Sequence, residues 1–357
     1  MKEKGFTLIE LLAVIVILAV ISLITTPMIL GVIDDTKLKA AEQSANGYLD
    51  AVEKQTIINQ VANINLINDG VYDLPMENVE VKGSKPTGGW LVVKNGEVIN
   101  YSMILGEYTV TKGHDTVKGN TTADRPGPTM IKASNSDTYK GIVYLDPTDL
   151  TKKCDAENSI STTETKIGCM KWYIYNTNEN SYLMILDHNT TAVIAWNSTG
   201  TSTDGMKEVS AALANDTANW NSSLNARLIT ADEIASISGN TEFNSSTSKW
   251  NKWFYLDSNN QTQTATSQGA SKYAWLFDYT NECLNNGCNI ADNNEYVYNG
   301  NTTGKIYGYW TSSPVAGGNR SAWLINRYGY IFNIYVDVSN STGVRPVITI
   351  PKSIISQ

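Results

Sequence analysis

Histidine is almost missing from the chain: there are two in 357 residues, His114 and His188. A zinc site built from several imidazoles is thereby excluded. Cations are short as well, with 27 Lys and Arg against 35 Asp and Glu for a net charge of −8. A surface that holds nucleic acid needs clustered Lys and Arg, so no nucleic-acid partner is expected. Phenylalanine occurs five times beside nine Trp and nineteen Tyr. The aromatics present thus carry a polar handle, which suits an extracellular, β-rich surface with Asn-, Ser- and Thr-rich loops. With 41% apolar and 17% charged residues the chain is no disordered polymer.

Charge is wholly absent between Leu11 and Val32. A helix of that length, at ~1.5 Å per residue, crosses the hydrocarbon core of a bilayer. Lys2 and Lys4 precede the run and Asp34 and Asp35 follow it, which puts the N-terminus in the cytoplasm and the rest outside. A cleaved secretory signal fits poorly, because ISLITTPMILG offers no small-residue A-x-A site. Glu10 stands at the head of the apolar run, and an acid at that depth is functional by default and needs a partner.

Lys4 to Leu12, KGFTLIELL, resembles the N-terminus of type IV prepilins and of the pseudopilins of type II secretion. The resemblance implies that residues 1–5 are a leader, cut between Gly5 and Phe6 by a membrane aspartyl peptidase that also methylates the new Phe6 amine. Glu10 then becomes the fifth residue of the mature chain, where the family has its glutamate. Pro27 falls where many members have a helix-kinking proline. A cationic Phe6 amine on one subunit can approach Glu10 of the next, and a buried charge is tolerable when so paired. Glu10 is therefore expected to set registry in assembly.

Past the membrane, Leu38, Ala41, Ala45, Leu49, Val52 and Thr56 recur every three to four residues. One amphipathic stripe on a continuing helix to about residue 60 follows, with Pro27 allowing a bend. A small sheet is expected to cover it. In GWLVVKNGEVINYSMILGEYTVT, Asn95-Gly96 between two strand-like runs is a type I′ hairpin signal, and a third strand lies near Glu107 to Thr111. With KGSKPTGGW before it, this stretch resembles the small head of Gram-positive pilins. Residues 113–138, rich in Gly, Pro, Asn, Ser and Thr, read as a linker.

Strand patterning resumes at Ile142. KWYIYNTNENSYLMILDHNTTAVIAW predicts three strands ending at Trp196, and LITADEIASISG predicts a short helix with a Thr230/Glu233 capping box and Gly239 as its stop. Short aromatic strands fill the rest. YWTSSP, the following AWLI and the terminal GVRPVI resemble the C-type-lectin-like superfamily, especially its formylglycine-generating-enzyme branch. Calcium-site triplets of true C-type lectins are not present, and a lectin-like fold alone does not establish sugar binding. Exposed aromatics, namely Trp310, Trp323 and Tyr328, are the candidate ligand contacts.

In an exported chain four cysteines favour disulfides, with three connectivities open and nearest-neighbour pairing, Cys154–Cys169 and Cys283–Cys288, preferred. Formylglycine-generating enzymes use a close cysteine pair near their last strands; here Cys283 and Cys288 precede Trp310 and no thiol follows it, so a structural role is expected. Asp187 and His188 adjoin at a strand end, where neighbours point opposite ways, and read as turn residues. Asp278 to Glu295 offers oxygen ligands without the EF-hand pattern. No catalytic residue, metal or cofactor is assigned, and no enzyme is expected.

The expected fold is α+β: a pilin helix (6–60, transmembrane 11–32) on a small antiparallel sheet (61–112), a linker (113–138), and a loop-rich, lectin-like domain (139–357). The expected function is a minor type IV pilin-like subunit, held in the membrane by its helix and then assembled with other pilins into a surface filament. Its terminal domain would recognise a glycan or surface protein. The alternatives are a pseudopilin of a secretion or DNA-uptake machine and a pilin-anchored enzyme of the formylglycine-generating type.

Overall fold

The structure, a computed structural model, describes residues 7–62, 67, 69–77, 79–81, 83–113, 116–135, 137–157, 168–191, 193–249, 254–256, 272–276, 289–290, 295–298, 301–305, 308–326, 330–339 and 342–355. The chain divides into two units, Met1–Arg125 and Pro126–Gln357.

Helix α1 (Leu8–Ala62) runs unbroken for 55 residues, ~80 Å at 1.5 Å per residue. It continues through Pro27 as helix. Its second half is amphipathic as expected, but the buried stripe falls on Ala41, Ala45, Tyr48, Val52, Thr56 and Asn59. Tyr48 takes the place expected for Leu49, because its ring fills the core while its hydroxyl accepts a hydrogen bond from the Met76 amide at 2.8 Å.

That stripe packs on β3 and β4 of a five-stranded antiparallel sheet. Its strands are β1 (Gly70–Asp73), β2 (Gly88–Lys94), β3 (Glu97–Leu105), β4 (Tyr108–Thr111) and β5 (Val117–Lys118), in that spatial order. Asn95 and Gly96 both have positive φ, 53° and 83°, so the β2–β3 connection is the hairpin turn the sequence announces. Surface pairs fasten helix to sheet: Lys37 to Glu107 at 2.9 Å, and the Val98 amide to Glu53 at 3.1 Å. Gly89 (φ +110°) lies so close to β3 that a Cβ there would overlap the Ser102 carbonyl oxygen. Gly89→Ala is expected to cost roughly 3 kcal/mol, read as a lowered melting temperature of this unit.

The second unit begins inside the stretch read as a linker. A six-stranded antiparallel sheet has the order β10-β19-β9-β8-β7-β6. Its members are β6 (Thr129–Lys132), β7 (Gly141–Leu145), β8 (Met170–Thr177), β9 (Ser181–Leu186), β10 (Arg227–Leu228) and β19 (Pro346–Pro351). Both β5 and β6 lie within residues 113–138. They are mostly exposed edge strands held by main-chain pairing, so they carry no apolar period for composition to reveal. The third strand predicted up to Trp196 is instead an isolated bridge between Thr191 and Val344.

A second sheet, ordered β11-β17-β16-β15-β18, comprises β11 (Phe254–Tyr255), β15 (Gly308–Pro314), β16 (Ser321–Asn326), β17 (Tyr330–Tyr335) and β18 (Thr342–Gly343), with only the β15–β18 pair parallel. Strands β12 (Asn289–Ile290), β13 (Glu295–Tyr298) and β14 (Asn301–Lys305) form a small third sheet. Helices α2 (Lys207–Asp216) and α3 (Ala231–Ile237) also belong to this unit. The Thr230/Glu233 capping box is present, and Gly239 has φ 71°. With one long helix and several antiparallel sheets, the class is α+β.

The second sheet is covered on both faces. Tyr309, Trp323, Ile325 and Ile331 belong to one buried cluster with Tyr173, Ile185, Ile234 and Val347. Trp310, Ala322, Leu324 and Val336 belong to another with Trp196, Val209 and Val344. Trp310 and Trp323 are thus 0% exposed and belong to the core, which corrects their expected role as surface contacts. Strand alternation sends them to opposite faces, and both faces are buried. The polar handle of Trp310 is met internally, its Nε1 donating to the Ile194 carbonyl at 2.8 Å.

Cys154 and Cys169 form a disulfide across 15 residues. Cys154→Ser is expected to remove about 3 kcal/mol by freeing that loop in the unfolded chain, measurable as a shifted denaturant midpoint.

Candidate functional site

Among the described residues, two places carry chemistry that the fold alone does not use. The first is the N-terminal half of α1. Thr7 and Glu10 build a capping box: the Thr7 amide and hydroxyl donate to Glu10 Oε2 at 2.9 and 2.8 Å, and the Glu10 amide donates to Thr7 Oγ1 at 3.3 Å. Beyond this box every described large apolar side chain from Leu8 to Ile33 is exposed. The helix is long and apolar enough to cross a membrane, by length and composition. Two of its hydroxyls are turned inward, with Thr25 and Thr26 donating to the carbonyls of Ile21 and Ser22 at 2.8 and 2.7 Å. Such a surface presents almost no polar group to lipid or to a packed neighbour.

The second place is a buried polar centre in the second unit. Arg345 is fully buried, and its described hydrogen bonds all go to main-chain carbonyls: Leu186 at 2.6 Å, Asp187 at 2.8 Å and Trp275 at 2.8 Å. Its guanidinium also lies over the Tyr309 ring at 5.2 Å. Next to it, Lys171 Nζ is 3.5 Å from Asp187 Oδ1 and 4.9 Å from the centre of the Tyr173 ring. Glu157 accepts from the Lys171 amide at 3.1 Å, and its Oε1 lies 3.9 Å from His188 Nδ1.

Burial dominates the electrostatics here. Desolvation, reinforced by the Asp187 carboxylate, pushes Glu157 up to about 7. Desolvation pulls His188 down to about 4 against the opposing pull of Asp187. Tyr173 is held far above its ordinary range by burial and by Asp187. Burial thus disfavours the charged form of both Glu157 and His188.

Sequence reasoning missed this assembly. Asp187 and His188 follow β9 in a bend, so the alternation that would send them to opposite faces no longer applies. Glu157 reaches them only through the fold. Of the other predicted residues, Glu10 and Pro27 lie on the exposed helix and Cys154–Cys169 is paired. Gly5, Phe6, His114, Cys283, Cys288 and Tyr328, and most of Asp278 to Glu295, lie outside the described residues.

Comparison with known families adds two matches. Residues 221–352 match a family described as a domain of unknown function (DUF6273), a stretch that includes β10 to β19 but not Glu157, Lys171, Asp187 or His188. Residues 1–26 match the prokaryotic N-terminal methylation motif. No curated protein and no solved structure matches the chain. The chain therefore carries a prepilin-type signal followed by a long apolar helix, and the motif suggests a type IV pilin-like or pseudopilin subunit.

Proposed function

We propose that the chain is a minor type IV pilin-like subunit, processed between Gly5 and Phe6, methylated on the Phe6 amine and assembled into a surface filament. One observation carries this: the prepilin motif opens a helix whose apolar side chains are uncovered from Leu8 to Ile33. That surface needs lipid before assembly and neighbouring helices after it. Glu10 sets the register by receiving the cationic Phe6 amine of a neighbour. The second unit, outside the cell, is the displayed part, a lectin-like recognition module for a glycan or surface protein, with no enzymatic role. The lectin likeness rests on YWTSSP, AWLI and GVRPVI, and ligand contacts must be sought away from Trp310 and Trp323.

The test is to shear filaments from cells, purify them and determine the N-terminus of this subunit by mass spectrometry. A chain beginning at methylated Phe6 in the filament fraction is expected. Cleaved chain confined to the envelope would instead make it a pseudopilin, and uncleaved chain would overturn both assignments.

A further inference from the structure

Glu157 follows Cys154 in the segment closed by the disulfide, whereas Asp187 and His188 belong to the bend after β9. The fold brings one carboxylate oxygen of Glu157, one of Asp187 and one ring nitrogen of His188 within 4.8 Å of one another. The His188 side chain is 4% exposed. Neither of its ring nitrogens has a hydrogen-bond partner among the described residues. Burying an imidazole with its donor and acceptor both unmet is unfavourable, so its position beside two carboxylates calls for a ligand.

We propose that Glu157, Asp187 and His188 bind one divalent transition-metal ion of the zinc class. A nitrogen and two carboxylate oxygens are ligands zinc accepts, while calcium asks for six to eight oxygens. The 3.9 Å between His188 Nδ1 and Glu157 Oε1 is near the ~3.4 Å that separates ligands of a tetrahedral ion. Asp187 and Glu157 need shift by only about an ångström to close the remaining gap.

Two cations oppose the ion. Lys171 holds Asp187 at 3.5 Å, and Arg345 donates to the Asp187 carbonyl. Arg345 is fixed by its carbonyls, but the Lys171 side chain is 16% exposed and can turn toward water. Binding is therefore a contest between Lys171 and the metal for Asp187, and removing Lys171 strengthens it. Once bound, the ion ties the disulfide-closed segment to the end of β9 and adds its binding energy to the fold.

The experiment uses the intact, untagged chain in detergent, stripped with chelator and titrated with Zn²⁺ by calorimetry, with elemental analysis for stoichiometry. One Zn²⁺ per chain is expected, with a melting temperature raised by about 5 °C at saturating metal. His188→Ala and Asp187→Asn should each weaken binding by about a hundredfold, and Lys171→Met should tighten it about tenfold. Melting each variant without metal shows whether it has kept its fold. Should His188→Ala fail to fold, the Lys171→Met result decides alone, and unchanged affinity there overturns the site. Absence of Zn²⁺ binding, binding unaltered in a folded His188→Ala, or preference for Ca²⁺ overturns it equally.

Discussion

Glu10→Ala chains are expected to reach the membrane at the wild-type level and to be depleted at least about a hundredfold from sheared filaments. The size follows from charge burial: breaking a buried pair by removing one partner costs ~3–5 kcal/mol, because the Phe6 amine is left uncompensated. Membrane insertion is spared, since Leu11 to Val32 is untouched. The Thr7–Glu10 capping box introduces a second effect, because the alanine also loses a helix cap worth ~1 kcal/mol. Glu10→Gln separates the two. Its amide oxygen can still accept from Thr7, yet it carries no charge. Depletion of Glu10→Gln from filaments, measured by immunoblot against the membrane fraction, is the result expected; normal incorporation would mean that charge pairing does not set the register.

Arg345→Ala should destabilise the second unit by roughly 4–5 kcal/mol and lower its melting temperature by about 15 °C. Three carbonyls, of Leu186, Asp187 and Trp275, lose their donor at once in a place water does not reach. A buried ion pair can sometimes be replaced by an apolar residue without loss. Here the acceptors are main-chain oxygens that remain whatever side chain stands at 345, so Arg345→Met is expected to be nearly as harmful as alanine. Arg345→Lys keeps the charge but loses the planar fork that reaches several carbonyls together, and should cost about 2 kcal/mol. Thermal melts of the three variants give the order; a Met variant as stable as wild type would show that the carbonyls are satisfied in another way.

What the sequence makes legible is what depends on near neighbours. Asn95-Gly96 dictates its turn from its own backbone preferences, Thr230 and Glu233 find each other across one helical turn, and Cys154 lies within loop-closing range of Cys169. The helix too is read from its period, although Tyr48 replaces Leu49 on the buried stripe and the stripe runs from Ala41 to Asn59, leaving Leu38 only partly buried. Partnerships made by the fold are not legible. Trp310 and Trp323 look like exposed amphipathic aromatics until a second layer covers each face of their sheet. Residues 113–138 look like a linker because β5 and β6 owe their place to main-chain hydrogen bonds. Glu157 and His188 are 31 positions apart, and no local pattern announces that their side chains share a pocket.

The position of β19 bears on how the second unit acquires its shape. This strand is interior to its sheet, lying between β10 and β9, and Val347 pairs with Ile185 from far back along the chain. Until Pro346–Pro351 has been made and delivered, β9 keeps an open edge beside the apolar Met184 and Ile185, and β10 has no sheet to join. Contacts so distant in sequence close slowly. During that interval the edge is a template for the wrong strand, from this chain or another. The first sheet of the second unit therefore closes only when Pro346–Pro351 takes its place between β9 and β10.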